Sequence, residues 1–188
     1  MATRLLALLL LLAPPVWGAE VAGVKLDDQA QVAGTELVLN GAGLRKRIVF
    51  KVYAIGLYLP KKTSSALEAA SMPGPKRIEI HMLRDVGAEQ FTEALADGIR
   101  ANHTEAEAKA LEPRVKQLAD TMAQMKEAKD GSTIRMDSSG GAMQLAVDGK
   151  PAGAPIPGDD FFGALLRIWL GDKPVQDDLK KALLGAAQ

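Results

Sequence analysis

The stretch Ile48–Leu59 constrains the fold more than any other part of the sequence. It reads IVFKVYAIGLYL, and β-branched and aromatic residues of this kind are enriched in strands. The apolar side chains do not keep a single parity along it, so we predict a bulge or bend inside the strand. Pro60 follows directly and should end the strand, because proline has no N–H to donate to a ladder.

Shorter strands are predicted on both sides of this stretch. Glu36–Asn40 alternates apolar and polar residues and runs into Gly41-Ala42-Gly43, which predicts a turn. Arg77–Met82 alternates as well, with its apolar side chains on one face. Further along, Thr133–Asp137 and Met143–Val147 are predicted to form a hairpin.

Segments with a helical spacing of apolar residues lie between these strands and after them. They are the segments 86–99, 111–125 and 161–169, and a last helix is expected from Asp177. Thr104 and Glu107 have the spacing of a capping box, which predicts a helix start. Pro151–Gly158 is rich in proline and glycine and is predicted to be irregular. This order of elements predicts an α+β fold with an antiparallel sheet.

The N-terminal segment has the layout of a secretory signal peptide. Arg4 precedes the apolar run Leu5–Ala13, and the small residues Val16 and Gly18 fit the positions before a cleavage site. We therefore expect a signal peptide over residues 1–18, a mature domain over residues 19–188 and a periplasmic or secreted protein. A retained membrane anchor is the alternative, although the run is shorter than the roughly 20 residues of a spanning helix.

Composition excludes several classes of function. The 23 basic and 23 acidic residues balance, whereas nucleic-acid binding usually requires a basic stripe, so no nucleic-acid partner is expected. The chain has no cysteine, which removes disulfides, thiol catalysis and thiolate metal sites. His81 and His103 are the two histidines and are too few for a multi-histidine zinc site. We expect no metal, no cofactor and no membrane span after signal cleavage.

One candidate ligand site combines Arg45 with the two tyrosines of the long strand. If the glycines form a turn, Arg45 stands at the mouth of an apolar strand, where it could hold a carboxylate or enolate by bidentate hydrogen bonds. Tyr53 and Tyr58 could add hydroxyl donors to the same pocket. The alternative is that Arg45 is a solvated turn residue.

The same residues carry a resemblance to a known family. The segment Asn40–Leu59 (NGAGLRKRIVFKVYAIGLYL) resembles the signature of the chalcone isomerase superfamily, in which a G-G-A-G-x-R turn precedes a strand reading K-x-x-A-I-G-x-Y-L. Thr104–Met125 and Leu166–Leu184 resemble two of its helices more loosely. With the signal peptide, the sequence is most similar to the bacterial, exported chalcone isomerase-like group. The resemblance implies an open-faced antiparallel β-sheet packed by helices on one face.

The residues that differ from the family pattern bear on function. By the resemblance, Arg45 matches the arginine that stabilises the enolate in the plant isomerases, and Tyr53 matches an assisting threonine. Phe91 stands where those enzymes have a tyrosine and Gly98 where they have an asparagine. Ile168, next to Trp169, stands where they have a threonine. Losing an oxyanion donor costs several kcal/mol, so chalcone cyclisation is not expected.

Three functions follow as hypotheses. The leading one is a non-catalytic protein that binds a small amphipathic ligand, an apolar carboxylate such as a fatty acid. By the resemblance, a non-catalytic plant branch of the superfamily binds fatty acids with this arginine at the carboxylate. The predicted ligand-binding residues are Arg45, Tyr53, Tyr58, Phe91, Ile168 and Trp169. The alternatives are an isomerase or lyase acting on another substrate, and a protein-interaction module in which Arg45 is structural.

Overall fold

The computed structural model describes residues 18–186, and within them the chain forms eleven strands and five helices. The strands are β1 (Ala19–Val21), β2 (Val24–Leu26), β3 (Gln29–Val32), β4 (Thr35–Arg47), β5 (Phe50–Leu59), β6 (Lys76–Met82), β7 (Val86–Gly87), β8 (Glu127–Ala128), β9 (Thr133–Ser139), β10 (Ala142–Val147) and β11 (Lys150–Pro157). The helices are α1 (Ala66–Ser71), α2 (Ala88–Asn102), α3 (Glu105–Ala123), α4 (Asp159–Leu170) and α5 (Asp177–Leu183).

Seven of these strands form one antiparallel sheet in the order β11-β10-β9-β6-β5-β4-β3. The helices pack on one face of it and bury the larger apolar cluster, called the helix-side core below. Its members include Ile55, Ile80, Met136, Phe161, Leu165 and Leu179. The predicted α+β class, with an antiparallel sheet packed by helices on one face, is confirmed.

The opposite face of the sheet carries a smaller apolar cluster, called the outer cluster below. The β1–β2 hairpin covers part of this face, and the buried members are Val21, Leu26, Val32, Leu37, Leu39, Ala54 and Tyr58. The segment that forms β1 to β3 was not predicted from the sequence. Its strands have only three or four residues each, too few for a clear alternation of apolar and polar positions.

The predicted turn at Gly41-Ala42-Gly43 is wrong. β4 continues through these residues to Arg47, and the chain reverses at Ile48 and Val49. Gly41 serves a close approach instead: a Cβ at this position would overlap the carbonyl oxygen of Ala182 and lie 2.7 Å from that of Leu183. Glycine therefore lets the end of α5 dock against the strand backbone.

Two β-bulges interrupt the pairing of β4 with β5. Leu39 pairs with Tyr58 and Gly41 with Leu57, which leaves Asn40 as an extra residue on β4. The second register shift leaves Val52 as the extra residue on β5. This confirms the irregularity predicted for the long strand. Each bulge exchanges the faces to which the following side chains point.

The segment Pro151–Gly158 also differs from its prediction, because most of it forms β11 at one edge of the sheet. An edge strand tolerates proline where no partner needs the missing N–H. The hairpin around Gly140 and Gly141, the Thr104–Glu107 capping box and the helix over Asp177–Leu183 are confirmed.

Most of the predicted signal peptide, residues 1–17, lies outside the described residues. Among residues 18–186, no helix is both long enough and apolar enough to cross a lipid bilayer.

Replacing Gly41 with alanine tests the docking of α5 on β4. The new methyl group must push the helix end away from the strand, and overpacking of this kind destabilises proteins by about 1–3 kcal/mol. We expect the free energy of unfolding from urea titration to fall by that amount. Gly87→Ala is the control, since a Cβ there meets no atom within 4 Å, and equal stability of both variants would contradict the docking role of Gly41.

Candidate functional site

Arg45 and Tyr53 lie side by side on the helix-facing side of the sheet. They are direct partners in the β4–β5 register. The extra residue Asn40 sets this orientation: Leu37 and Leu39 belong to the outer cluster, and so does Ala42 after the bulge. Without that bulge, Arg45 would point to the outer face. The sequence prediction that Arg45 and Tyr53 share a site therefore agrees with their placement, although no turn delivers the arginine.

Tyr53 connects the strand to α4. The indole Nε1 of Trp169 donates a hydrogen bond of 3.0 Å to the Tyr53 hydroxyl oxygen. Burial raises the pKa of the Tyr53 phenol, while the Trp169 hydrogen bond and the positive charge of Arg45 act in the opposite direction. The phenol therefore stays neutral and can still donate its own proton to an acceptor.

Gln176 holds the end of β4 and orients Arg45. Its side-chain oxygen accepts hydrogen bonds from the Lys46 backbone N–H at 2.8 Å and from Arg45 Nη1 at 3.3 Å. Its side-chain nitrogen donates to the Leu44 carbonyl oxygen at 2.9 Å. This glutamine was not predicted from the sequence. It lies in the segment that resembles the family's closing helix, but a glutamine in a loop gives no signal of a contact 131 residues away.

Arg45 also donates to the carbonyl oxygen of Lys46 at 2.7 Å, and its hydrogen bonds to described residues use only Nη1. No carboxylate among residues 18–186 lies within 4.0 Å of its guanidinium nitrogens. The other half-buried arginines of this range, Arg77, Arg114, Arg135 and Arg167, each have such a carboxylate. Arg45 is thus a partly desolvated cation whose remaining N–H groups are free to bind an anion.

Tyr58 does not join this group. It lies five positions beyond Tyr53 on the same strand, an odd separation that places it on the opposite face. There it is fully buried in the outer cluster. Burial, and then the negative charge of Glu79, raise the pKa of its phenol. Its predicted role as a second hydroxyl donor beside Arg45 therefore lacks support from its placement.

The remaining predicted residues belong to the helix-side core. Ile168 and Trp169 are buried on α4, and Phe91 is half-buried on α2. Gly98 lies directly against Ile168, since a Cβ at Gly98 would stand 2.8 Å from Ile168 Cγ2. A larger side chain at this position of α2 would need Ile168 to move. The two positions that resemble polar catalytic positions of the isomerases therefore form one apolar contact here.

Among residues 18–186, no group of three or more histidine or acidic side chains is arranged to hold a metal ion. A surface pocket of about 450 Å³ lies at the other end of the sheet, between α1, the β9–β10 turn and the start of α4. Its lining mixes polar and apolar residues and includes Lys76, Ser138 and Asp159. It is separate from the Arg45 group.

Comparison with known proteins adds two findings. A family model described as "Chalcone isomerase-like" matches residues 18–185. The crystal structure of the Arabidopsis thaliana fatty-acid binding protein At3g63170 (AtFAP1) is similar to this fold, with a TM-score of 0.65 at 14% identity. The match covers 85% of this chain and 92% of that one. No curated protein matches the chain.

Alkaline titration tests the burial of both phenols. Tyr53 and Tyr58 are the two tyrosines of the chain, and burial raises the pKa of each. The folded state therefore favours the protonated phenols, and their contribution to stability is complete below the unfolded pKa of about 10 and is lost as the pH rises above it. We expect phenolate absorbance to appear at higher pH in folded protein than in urea.

Tyr53→Phe serves as the control, because it leaves Tyr58 as the remaining phenol in the titration. Folded and unfolded protein that titrate together near pH 10 would contradict the placement of both tyrosines.

Proposed function

The chain belongs to the chalcone isomerase-like family, and from that membership we propose that it binds a small apolar carboxylate, such as a fatty acid, without converting it. The observation that carries this proposal is Arg45, a half-buried guanidinium with no carboxylate within 4.0 Å among the described residues.

The head of the ligand would bind to Arg45. A guanidinium carries five N–H donors in a planar fork that matches a carboxylate, and the described hydrogen bonds of Arg45 use Nη1 alone. Gln176 would keep the fork in place. The neutral hydroxyl of Tyr53, the direct strand partner of Arg45, would give the bound carboxylate a further donor.

The apolar part of the ligand would lie along Phe91, Ile168 and Trp169 on the helix side of the sheet. Trp169 is only 5% exposed and is tied to Tyr53 by its indole hydrogen bond. An alkyl chain can therefore enter between β5 and α4 only if Trp169 turns aside, which makes this residue the gate of the proposed site. The Arabidopsis neighbour, similar in fold, is a fatty-acid binding protein, which supports this ligand class.

The proposal that the ligand is not converted rests on the donors that are missing. Phe91 carries no hydroxyl, and Gly98 and Ile168 carry no polar group and pack against each other. Removing one oxyanion-hole donor already costs an enzyme about 2.7–4 kcal/mol. Arg45 and Tyr53 alone would leave most of a developing enolate charge unsupported.

An assay with chalcones tests this absence of catalysis. Because the residues at positions 91, 98 and 168 have no side-chain donor, we expect cyclisation at the spontaneous rate. The loss of chalcone absorbance, recorded with and without protein, measures this rate. Turnover well above that rate would favour the isomerase alternative and would mean that other groups supply the missing donors.

Arg45→Ala tests the proposed anion anchor. A bidentate charged hydrogen-bond pair in a partly dry site contributes about 1.5–3 kcal/mol, so the variant should bind a fluorescent fatty acid roughly ten- to a hundred-fold more weakly. Arg47→Ala is the matched control, since Arg47 is exposed and two residues further along the same strand. It should bind nearly as tightly as the unchanged protein.

Two results would contradict this site. Equal affinity of the Arg45 and Arg47 variants, with the fold retained, would exclude Arg45 as the anchor. Unfolding of Arg45→Ala, together with no fatty-acid binding by the unchanged protein, would favour the interaction module in which Arg45 is structural. Circular dichroism of each variant separates loss of binding from loss of structure.

We further propose that the protein acts in the periplasm or outside the cell, after cleavage behind Gly18. The cation, the apolar run and the small residues of the N-terminal segment support this proposal. N-terminal sequencing of protein extracted from the cell envelope should begin at or near Ala19. An intact Met1 in a membrane fraction would favour a retained anchor instead.

A further inference from the structure

The hairpin between β4 and β5 ends in an exposed apolar tip formed by Ile48, Val49 and Phe50. Their exposed fractions are 89%, 80% and 56%. Among residues 18–186, Leu67 is the one other large apolar residue with comparable exposure. Single exposed apolar residues are common on protein surfaces, but three consecutive ones at the end of a projecting hairpin indicate an interaction site.

The fold of the hairpin does not call for these residues. Ile48 has a φ of +57°, a conformation that glycine or asparagine adopts easily and that strains a β-branched residue. Two-residue hairpin turns prefer glycine, asparagine or aspartate at such positions. Ile48 therefore makes the turn less favourable while it gains little from burial. The isolated fold therefore gives no reason for an isoleucine at this position.

Basic side chains surround the apolar tip. Lys46, Arg47 and Lys51 lie on the two strands beside it and are exposed. Arg84, also exposed, stands over the Phe50 ring with its Cζ atom 4.8 Å from the ring centroid. None of these four cations has a carboxylate within 4.0 Å among the described residues. The positive charge of Lys46, after hydrogen bonds from Gln176 and backbone groups, helps to lower the carboxyl pKa of Asp178.

We propose that this tip docks the protein on an anionic lipid bilayer, with Ile48, Val49 and Phe50 inserted among the lipid head groups. Apolar side chains that enter the boundary between head groups and acyl chains, combined with cations beside them, are the pattern of peripheral membrane attachment. Each cation near an anionic leaflet adds about a five-fold gain in binding, which corresponds to about 1 kcal/mol.

A lipid surface fits this shape better than a protein partner does. A stable protein interface buries roughly 800 Å² on each partner, whereas the apolar area here is confined to three side chains on one narrow turn. Head groups deform around such a projection, and their phosphates pair with cations in any arrangement. The surrounding charge therefore selects an anionic surface without requiring a fixed complementary shape.

Docking in this orientation would bring the proposed ligand site close to lipid. Arg45 lies on β4, three residues before Ile48 in the turn, and its partner Tyr53 lies on β5, three residues after Phe50. A fatty acid leaving the bilayer would meet Arg45 beside the tip. This consequence rests on the proposed function, whereas membrane docking does not.

A fluorophore at the tip tests the proposal directly. The chain has no cysteine, so Val49→Cys and Thr35→Cys each accept one environment-sensitive dye. Thr35 is exposed at the opposite end of β4 and is the matched control. The dye reports only on the residue that carries it, so adsorption of the apolar run Leu5–Ala13 does not by itself change the signal at the tip.

With vesicles of phosphatidylcholine and phosphatidylglycerol, we expect a blue shift and brighter emission from the Val49 label and no change from the Thr35 label. Vesicles of phosphatidylcholine alone, or high salt, should weaken the shift. Lys46→Gln with Lys51→Gln should raise the lipid concentration at half-maximal shift by roughly ten-fold or more. Ile48→Asn, which suits the turn conformation, should reduce the shift while circular dichroism stays unchanged.

Several results would overturn the proposal. An unshifted Val49 label on anionic vesicles excludes insertion of the tip, and equal shifts of both labels indicate adsorption without orientation. A shift that appears without lipid as protein concentration rises means that a second copy of the chain covers the tip. None of these measurements uses a fatty acid, so failure of docking and failure of the proposed ligand site can be told apart.

Discussion

The contact between β4 and the end of α5 determines how the rest of this molecule is arranged. The buried Asn40 side chain donates to the Leu183 carbonyl oxygen at 2.7 Å and accepts from the Thr63 backbone N–H at 2.7 Å. Gly41 lets the two backbones meet. Because Asn40 is also the extra residue of the bulge, the same contact fixes the face on which Arg45 lies. The contact also fixes the position of α5. Gln176 lies directly before that helix, so it is held where its side chain binds the last residues of β4.

Much of the fold could be predicted because it depends on local rules. Alternation along Arg77–Met82 and the capping box at Thr104 need no knowledge of distant residues. The errors arose where a long-range contact reverses a local preference. Glycines indicate a turn in most sequences. Gly41 instead lies within a strand, where its missing Cβ leaves room for a carbonyl oxygen about 140 residues further along the chain. Prolines indicate irregular structure, yet β11 contains them because it lies at a sheet edge.

In the candidate site, too, local sequence patterns predict some of the residues, whereas long-range contacts bring in others. The sequence pattern pairs Arg45 with Tyr53, although they meet as partners on neighbouring strands and not through a glycine turn. Tyr58 could have been separated from them by parity alone, since its distance from Tyr53 along the strand is odd. Gln176 could not be found in this way, because no local rule connects a loop glutamine with a strand on the far side of the sequence.

Charges are paired on the strands beside the β4–β5 hairpin but not at the hairpin tip. On β6 and β9, Arg77 forms a bidentate pair with Asp137 at 2.6 Å, and Arg135 binds Glu79 at 2.7 Å. Toward the hairpin tip, Arg45 and the exposed cations have no such partner among the described residues. Paired charges on a sheet stabilise one arrangement of strands, whereas partly buried unpaired cations are unfavourable until an anion arrives. The unpaired positive charge at this end is what fatty-acid carboxylates and anionic head groups would both neutralise.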